Sequence, residues 1–286
     1  MNIQKITDKD GTLQTIQKFN LKTKNFTVTK FLKNGIPHEI CMYKKGKLHG
    51  KQISFHPNGK KAQILFYKHG QIHGKCFFFR KSGKLRSTYT FQHNKATGPI
   101  AAYSKKGRLV HSGFLVDNKL HGDSTFYYAD GTVQKIITYR FNQKHGQMIE
   151  IGKNSLIKKF SIYKKNKMEG HVFHFHHNGT ISKKIMYRNG VPNGPYVYYD
   201  PLKNIIQYGN MVDGCKTGII HIHDTQKFYQ SNHILVQKTN QTDTCVVCLE
   251  QTDFYTPCHH PLCCHCAQKW YMVSSKVSCP YCRKKY

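Results

Sequence analysis

The sequence predicts a mostly β protein, an elongated antiparallel array of β-hairpin repeats followed by a small metal-stabilised module. Three observations carry that expectation. Glycine recurs at 50, 74, 98, 122, 146, 170, 194 and 218, a step of 24 residues each time. The segments between these glycines are short, rich in aromatic and β-branched residues, and punctuated by Asn-Gly or Asp-Gly, which suits strands and tight turns rather than helices. Eight of the 11 cysteines fall between Cys245 and Cys282 in paired spacings, a pattern closer to metal binding than to a disulfide framework.

Counted from each repeat glycine, the fifth residue on is Phe55, Phe79, Tyr103, Tyr127, Phe175 or Tyr199, with Ile151 and His223 departing. Nine on comes a second glycine, at Gly59, Gly83, Gly107, Gly131 and Gly179; the units at 146 and 194 lack it. Seventeen on stands Tyr67, Phe91, Leu115, Tyr139, Tyr163, Tyr187 or Met211, and twenty on a Gly or Asn from Gly70 to Gly214. The frame extends backward through Phe31, Gly35, Tyr43 and Gly46, so about nine units fill residues 1–224, with degenerate ends of the kind that cap repeat arrays. Asn34-Gly35, Asn58-Gly59, Asp130-Gly131 and Asn178-Gly179 read as type I′ turn dipeptides, in which both central residues take positive φ. Each unit is therefore expected to be a hairpin, and neighbouring units, two strands apart, to be offset by roughly 10 Å.

Burial leans on 18 Tyr and 17 Phe, since the apolar fraction is only 38%. The formal charge is +31; the first 242 residues carry 40 basic against 11 acidic side chains, a net +29. Such a surface attracts polyanions, among them anionic lipid and nucleic acid, with an affinity that falls as salt rises. No recognition helix, RNA-stacking signature or base-reading finger accompanies the charge. Neither a signal peptide nor a run of about 18 apolar residues is present, and cysteine usage points to a reducing compartment, cytosol or nucleus.

LHGKQISFHPNGK at 48–60 and LHGDSTFYYADGT at 120–132 carry the consensus best, and on these residues the units resemble the MORN repeat family in its variant form with a His-Gly ending. The resemblance implies an elongated antiparallel sheet used for protein contacts, self-association or attachment to membrane lipids, and implies no catalysis. The recurrent His49, His73, His121 and His145 read as turn residues, because equivalent positions about 10 Å apart cannot share an ion that sits about 2.0 Å from each nitrogen. His171, His174, His176 and His177 read as a solvated strand face.

Residues 225–242 break the period and read as a polar linker; 243–286 form the second domain. Its candidate ligands are Cys245, Cys248, Cys258, His260, Cys263, Cys266, Cys279 and Cys282, eight in all and enough for two tetrahedral zinc ions. So short a chain needs the metal in order to fold. His259, Cys264 and His265 are spare candidates, with His259 the alternative to His260.

The order of three Cys, one His and four Cys, with these gaps, resembles the RING-type zinc finger of ubiquitin ligases. That resemblance implies an interleaved ligation in which Cys245, Cys248, Cys263 and Cys266 hold one ion and Cys258, His260, Cys279 and Cys282 the other. It also implies that Val247, Trp270 and Pro280 form a groove for a ubiquitin-conjugating enzyme, and that Arg283 is the cationic residue bridging that enzyme and ubiquitin. Direct transfer of ubiquitin to a substrate lysine follows, since the thiols of such a module are committed to zinc and offer no nucleophile. A non-catalytic scaffold, in which the repeats bind lipid or protein and the RING is structural, is the alternative. Repeats of this kind joined to a C-terminal RING resemble proteins of large DNA viruses, which would imply action on host-cell proteins.

Overall fold

A computed structural model describes residues 2–20, 25–222, 225–230, 233–274 and 278–285. The chain divides into two compact units, Met1–Gln143 and Lys144–Tyr286. In each, antiparallel strands succeed one another as a meander, with the two-residue strands Gln71–Ile72, Lys119–Leu120 and Lys167–Met168 pairing back on the strand before them. The fold is an antiparallel β-hairpin repeat array, as the period predicts.

One repeat of the first unit shows how the sequence achieves this. Lys47–Phe55 pairs with Lys61–Lys68 across the turn at 56–60, and Lys61–Lys68 then pairs with Gln71–Ile72 and Gly74–Phe79. The repeat glycine sits where the incoming strand is interrupted: Gly74 takes φ +98 while His73 N–H reaches the Phe66 carbonyl at 2.8 Å. Positive φ is costly for any residue with a Cβ, which explains why the glycine step is so regular.

The turns differ from the expectation in an instructive way. At Asn58-Gly59 only the glycine has positive φ; Gly59 N–H donates to the His56 carbonyl and His56 N–H to the Lys60 carbonyl, giving a three-residue turn with a glycine bulge rather than type I′. Asn and Asp are favoured there because their side chains accept the N–H two residues on, as Asn58 Oδ1 does from Lys60, Asp130 Oδ1 from Thr132 and Asn178 Oδ1 from Thr180. The units without the second glycine make the same turn, with Ser155 at φ +61 and Lys203 at φ +72 in its place.

The pairs with two consecutive positive φ values lie at the other end of the hairpins: Lys45-Gly46, His69-Gly70, His93-Asn94, Asp117-Asn118, Phe141-Asn142, Lys165-Asn166, Asn189-Gly190 and Asp213-Gly214. Where that second residue is Asn, its side chain also joins neighbouring repeats. Asn94 Oδ1 accepts Ile72 N–H, Asn118 Oδ1 accepts Ala96 N–H and Asn166 Oδ1 accepts Lys144 N–H, at 2.7 to 2.8 Å.

The buried residues form a narrow column, two residues after each repeat glycine: Gln52, Cys76 and Ser124 in the first unit, Met148, Val172, Tyr196 and Ile220 in the second. The cross-strand partner stands fifteen after the glycine, and sizes are matched across the pair: Cys76 opposite Tyr89, Ile100 opposite Gly113, Met148 opposite Ser161, Tyr196 opposite Gly209. Where one member is small the other fills the space, and where both are of middle size, as in Gln52 opposite Leu65 and Val172 opposite Ile185, they share it. The aromatic residues Phe55, Phe79, Tyr67 and Phe91 flank the column and are only half-buried. His49, His73 and His121 pack their rings on His69, His93 and Phe141 of the adjacent tight turns, at 4.8 to 5.3 Å.

The stretch read as a linker, 225–242, carries two strands instead. Thr225–Gln230 pairs with Cys215–Ile222, and His233–Thr244 pairs with Thr225–Gln230 and then with Gln251–Tyr255 inside the C-terminal module. Its runs KFYQ and HILV have the aromatic and β-branched content of a strand; the lost 24-residue frame, not a lost strand, is what made it look like a linker.

Candidate metal centre

The C-terminal module is built on one strand, Gln251–Tyr255, one helix, Cys264–Ser274, and tight turns that aim sulfur inward. In the first turn Leu249 N–H donates to the Cys245 carbonyl at 3.0 Å with Leu249 at φ +63. In the last, Arg283 N–H donates to the Cys279 carbonyl at 2.9 Å with Arg283 at φ +58. The two Cys-x2-Cys loops thus share one backbone geometry, and each brings its pair of thiols to the same side.

Two clusters result: Cys245, Cys248, Cys263 and Cys266, and Cys258, His260, Cys279 and Cys282, the ligand atoms of each lying within 4.8 Å of one another. Sulfurs held about 2.3 Å from one tetrahedral ion stand about 3.8 Å apart, and an imidazole nitrogen about 3.5 Å from a sulfur. Cys248 Sγ and Cys263 Sγ are 3.8 Å apart; His260 Nδ1 lies 3.3 Å from Cys258 Sγ and 3.7 Å from Cys279 Sγ. Each cluster can hold one metal ion, and the donor set of thiolates with one imidazole suits zinc. The pairs combine first with third and second with fourth. His260, not His259, faces the thiols; His259 is exposed at φ +63 in the turn that presents its neighbour.

Electrostatics favour a cation at the first cluster. Burial opposes ionisation of Cys245, but N–H groups of Cys248, Cys263 and Val247 outweigh it and bring its thiol down to about 7. Cys266 is pushed up by burial and by the adjacent thiols of Cys263 and Cys248. Close thiols resist charging together, and a divalent ion removes that penalty. Cys263 N–H donates to Cys245 Sγ and Cys266 N–H to Cys263 Sγ, both at 3.4 Å.

Beneath the first cluster Val236, Cys245, Leu262, Cys266 and Ala267 form one apolar core, packed by Phe254 and Val246. Val236 belongs to His233–Thr244, so the strand that enters the module also supplies its core. Two residues escaped sequence reasoning. Thr256, almost fully buried, accepts His260 N–H at 3.0 Å and lies 3.2 Å from Cys258 Sγ; Tyr281 rests its ring 4.8 Å from that of His260. A hydroxyl two residues before a ligand was the available signal for the first.

Val247 is 53% exposed, Arg283 is exposed, and Pro280 is half-buried beside the buried Cys279. Trp270 donates its indole N–H to the Ser278 carbonyl at 3.0 Å, tying the helix to the last ligand loop. Among the described residues no helix is long and apolar enough to cross a membrane.

A search of curated proteins found no match. Solved structures distantly similar to the chain include a GtfA/B complex bound to UDP and GlcNAc (14% identity, TM-score 0.20, 41% of this chain and 23% of that one). Others are the Tc holotoxin pore of Photorhabdus luminescens (9%, TM-score 0.23, 85% and 15%) and a porin-like protein from Bacteroides uniformis (11%, TM-score 0.17, 66% and 91%). The chain spans less than a quarter of the first two, and likenesses this distant carry no functional information. The sequence of three windows, 48–69, 120–140 and 168–189, matches the family model of the MORN repeat variant, and the starts of these windows are separated by whole multiples of the 24-residue period.

Proposed function

We propose that this chain is a RING-type ubiquitin ligase whose basic repeats recruit a protein substrate or hold the ligase on an anionic surface. The observation that carries the reading is the interleaved pairing of eight ligands into two four-donor clusters, with Val247 and Arg283 left outward beside them. Zinc in these clusters supplies no chemistry to the reaction; it holds the loops in place. Val247, Trp270 and Pro280 would receive the conjugating enzyme. Arg283 would donate hydrogen bonds to the enzyme and to ubiquitin in the folded-back pose from which a substrate lysine attacks the thioester. Catalysis is then positioning and transition-state hydrogen bonding.

The test is single-turnover discharge of ubiquitin from a panel of charged conjugating enzymes to free lysine, at equal zinc content. Wild type is expected to accelerate discharge with at least one enzyme. Arg283→Ala removes charge-assisted hydrogen bonds and should slow it roughly tenfold or more, Arg283→Lys should lose much of the rate because the guanidinium fork is not replaced, and Val247→Ala should weaken docking. A wild type no faster than the protein-free control across the panel would leave the scaffold as the reading.

A further inference from the structure

The repeat provides its own control for what belongs on its surface. At the eighth residue after the repeat glycine, the three-residue turns carry Asn58, Ser82, Lys106, Asp130, Asn154 and Asn178, all polar; the turn of the unit at 194 carries Leu202, which is 80% exposed. At the tenth residue stand Lys60, Lys84, Arg108, Thr132, Thr180 and Asn204, whereas the unit at 146 has an exposed Leu156. Ile157, Ile181 and Ile205 follow at the eleventh position of three successive units and are exposed too, Ile205 at 53%. At the eighth position every other three-residue turn is polar, and at the tenth only the half-buried Ile36 shares an aliphatic residue with Leu156, so the repeat pattern does not call for an exposed leucine at either.

These residues form one row because their turns are fastened side by side. Asn154 Nδ2 donates to the His177 carbonyl at 3.3 Å, and Asn178 Nδ2 donates to the Pro201 carbonyl at 3.1 Å. Between the last two turns lies an open depression of about 500 Å³ lined by Asn178, Gly179, Thr180, Ile181, Tyr199 and Lys203. Exposed cations flank the row, Lys153 and Lys158 at one end and Lys203 at the other. An apolar strip between lysines complements an acidic, apolar ligand.

We infer that the row Leu156, Ile181, Leu202 and Ile205 is a docking strip for an extended acidic segment of a protein partner that carries an aliphatic residue at every third position. The spacing follows from geometry: equivalent turns are two strands, about 10 Å, apart, and a segment in the extended polyproline-II conformation advances about 9 Å over the three residues that return a side chain to the same face. The inference supplies the recruitment half of the ligase reading with a partner chemistry, and it is tested without conjugating enzyme or ubiquitin, so its failure and that of the catalytic half are separable.

The probe is a fluorescein-labelled peptide of about 12 residues with Leu at every third position and Glu or Asp between, titrated into the full-length chain by anisotropy. Leu156→Thr with Leu202→Asn installs the residues that other repeats already carry, so the fold is retained, as circular dichroism will verify. Binding to wild type, weakened roughly tenfold or more by the double variant and absent for a peptide with Lys between the leucines, supports the strip. Equal affinity for wild type and double variant, equal binding of the Lys peptide, or no binding at all overturns it. So does sedimentation of wild type as a dimer that the double variant dissolves without peptide binding, which would make a second copy the occupant.

Discussion

Tyr196 in the repeats and Cys279 in the C-terminal module are both almost wholly buried, yet burial has a different meaning at each. Tyr196 stands opposite Gly209, accepts a hydrogen bond from Gln207 Nε2 at its hydroxyl at 3.0 Å and has Lys216 over its ring, so its environment is completed by protein groups. Cys279 lies 3.7 Å from His260 Nδ1 in a cluster whose thiols are brought together for an ion. The repeats spread a thin core over many equivalent joints, while the module gathers eight potential metal donors at two points. Repeat arrays tolerate local damage for that reason, and metal modules do not.

The largest expected effect is therefore at the metal. Native mass spectrometry should find two zinc ions per chain, and strong chelation or Cys279→Ser should unfold the module outright. Because Val236 is part of its apolar core, hydrogen exchange should quicken from 236 through 285 and leave the repeat strands at 48–143 and at 144–222 protected. The single tryptophan, Trp270, reports this by fluorescence, while far-ultraviolet circular dichroism follows the sheet. One zinc per chain, or loss of the sheet signal on chelation, would break the contrast between the two regions.

Next in size is a repeat glycine at a close approach. An alanine at Gly98, which holds φ +125, would place Cβ 2.9 Å from Thr90 Cβ, whereas at Gly122, with φ +75, it would meet nothing within 4 Å. Gly98→Ala should cost about 2 to 4 kcal/mol and Gly122→Ala about 1 to 2 kcal/mol, read as exchange rates in the surrounding strands. Equal costs would mean that φ alone, not packing, fixes the glycine.

A smaller change runs in the other direction. Lys203 occupies a left-handed position that glycine fills in most other units, so Lys203→Gly should stabilise its turn by about 1 kcal/mol, seen as slower exchange at Gly194–Met211. No gain would show that the flanking hydrogen bonds already absorb the strain.

The smallest effect is on pH. Burial, reinforced by Lys159 and Lys183, holds the His174 imidazole below its ordinary value. The unfolded chain then takes up the proton more readily, so the stability that neutral His174 contributes is complete above about pH 6.5 and is lost as pH falls below it. His174→Gln should flatten thermal stability between about pH 5 and 7; an unchanged slope would assign the dependence elsewhere.

Much of this was legible in the residues. The 24-residue glycine step marks the bulge positions because only glycine is comfortable there, and the eight ligands announce themselves by spacing. Turn type was misread at Asn58-Gly59 because the dipeptide serves two geometries, and the asparagine is retained there for its side-chain acceptor rather than for positive φ. The buried column was not visible, since Gln52, Cys76, Ser124 and Ser161 form no apolar pattern; their burial follows from cross-strand register, which no local composition encodes. The strand at His233–Thr244 was hidden by the end of the period just before it.

The size matching across the column also governs how such a chain can change length. Both members of each pair, Ile100 with Gly113 or Tyr196 with Gly209, lie thirteen residues apart inside a single 24-residue period. A duplication or deletion of one whole period, cut anywhere outside that interval, carries each bulky residue along with the cavity that receives it. The array can therefore grow or shrink by whole periods with each such pair intact, whereas a crossover within those thirteen residues would separate the pair, setting Ile100, for instance, against a residue such as Tyr89, the equivalent of Gly113 in another unit.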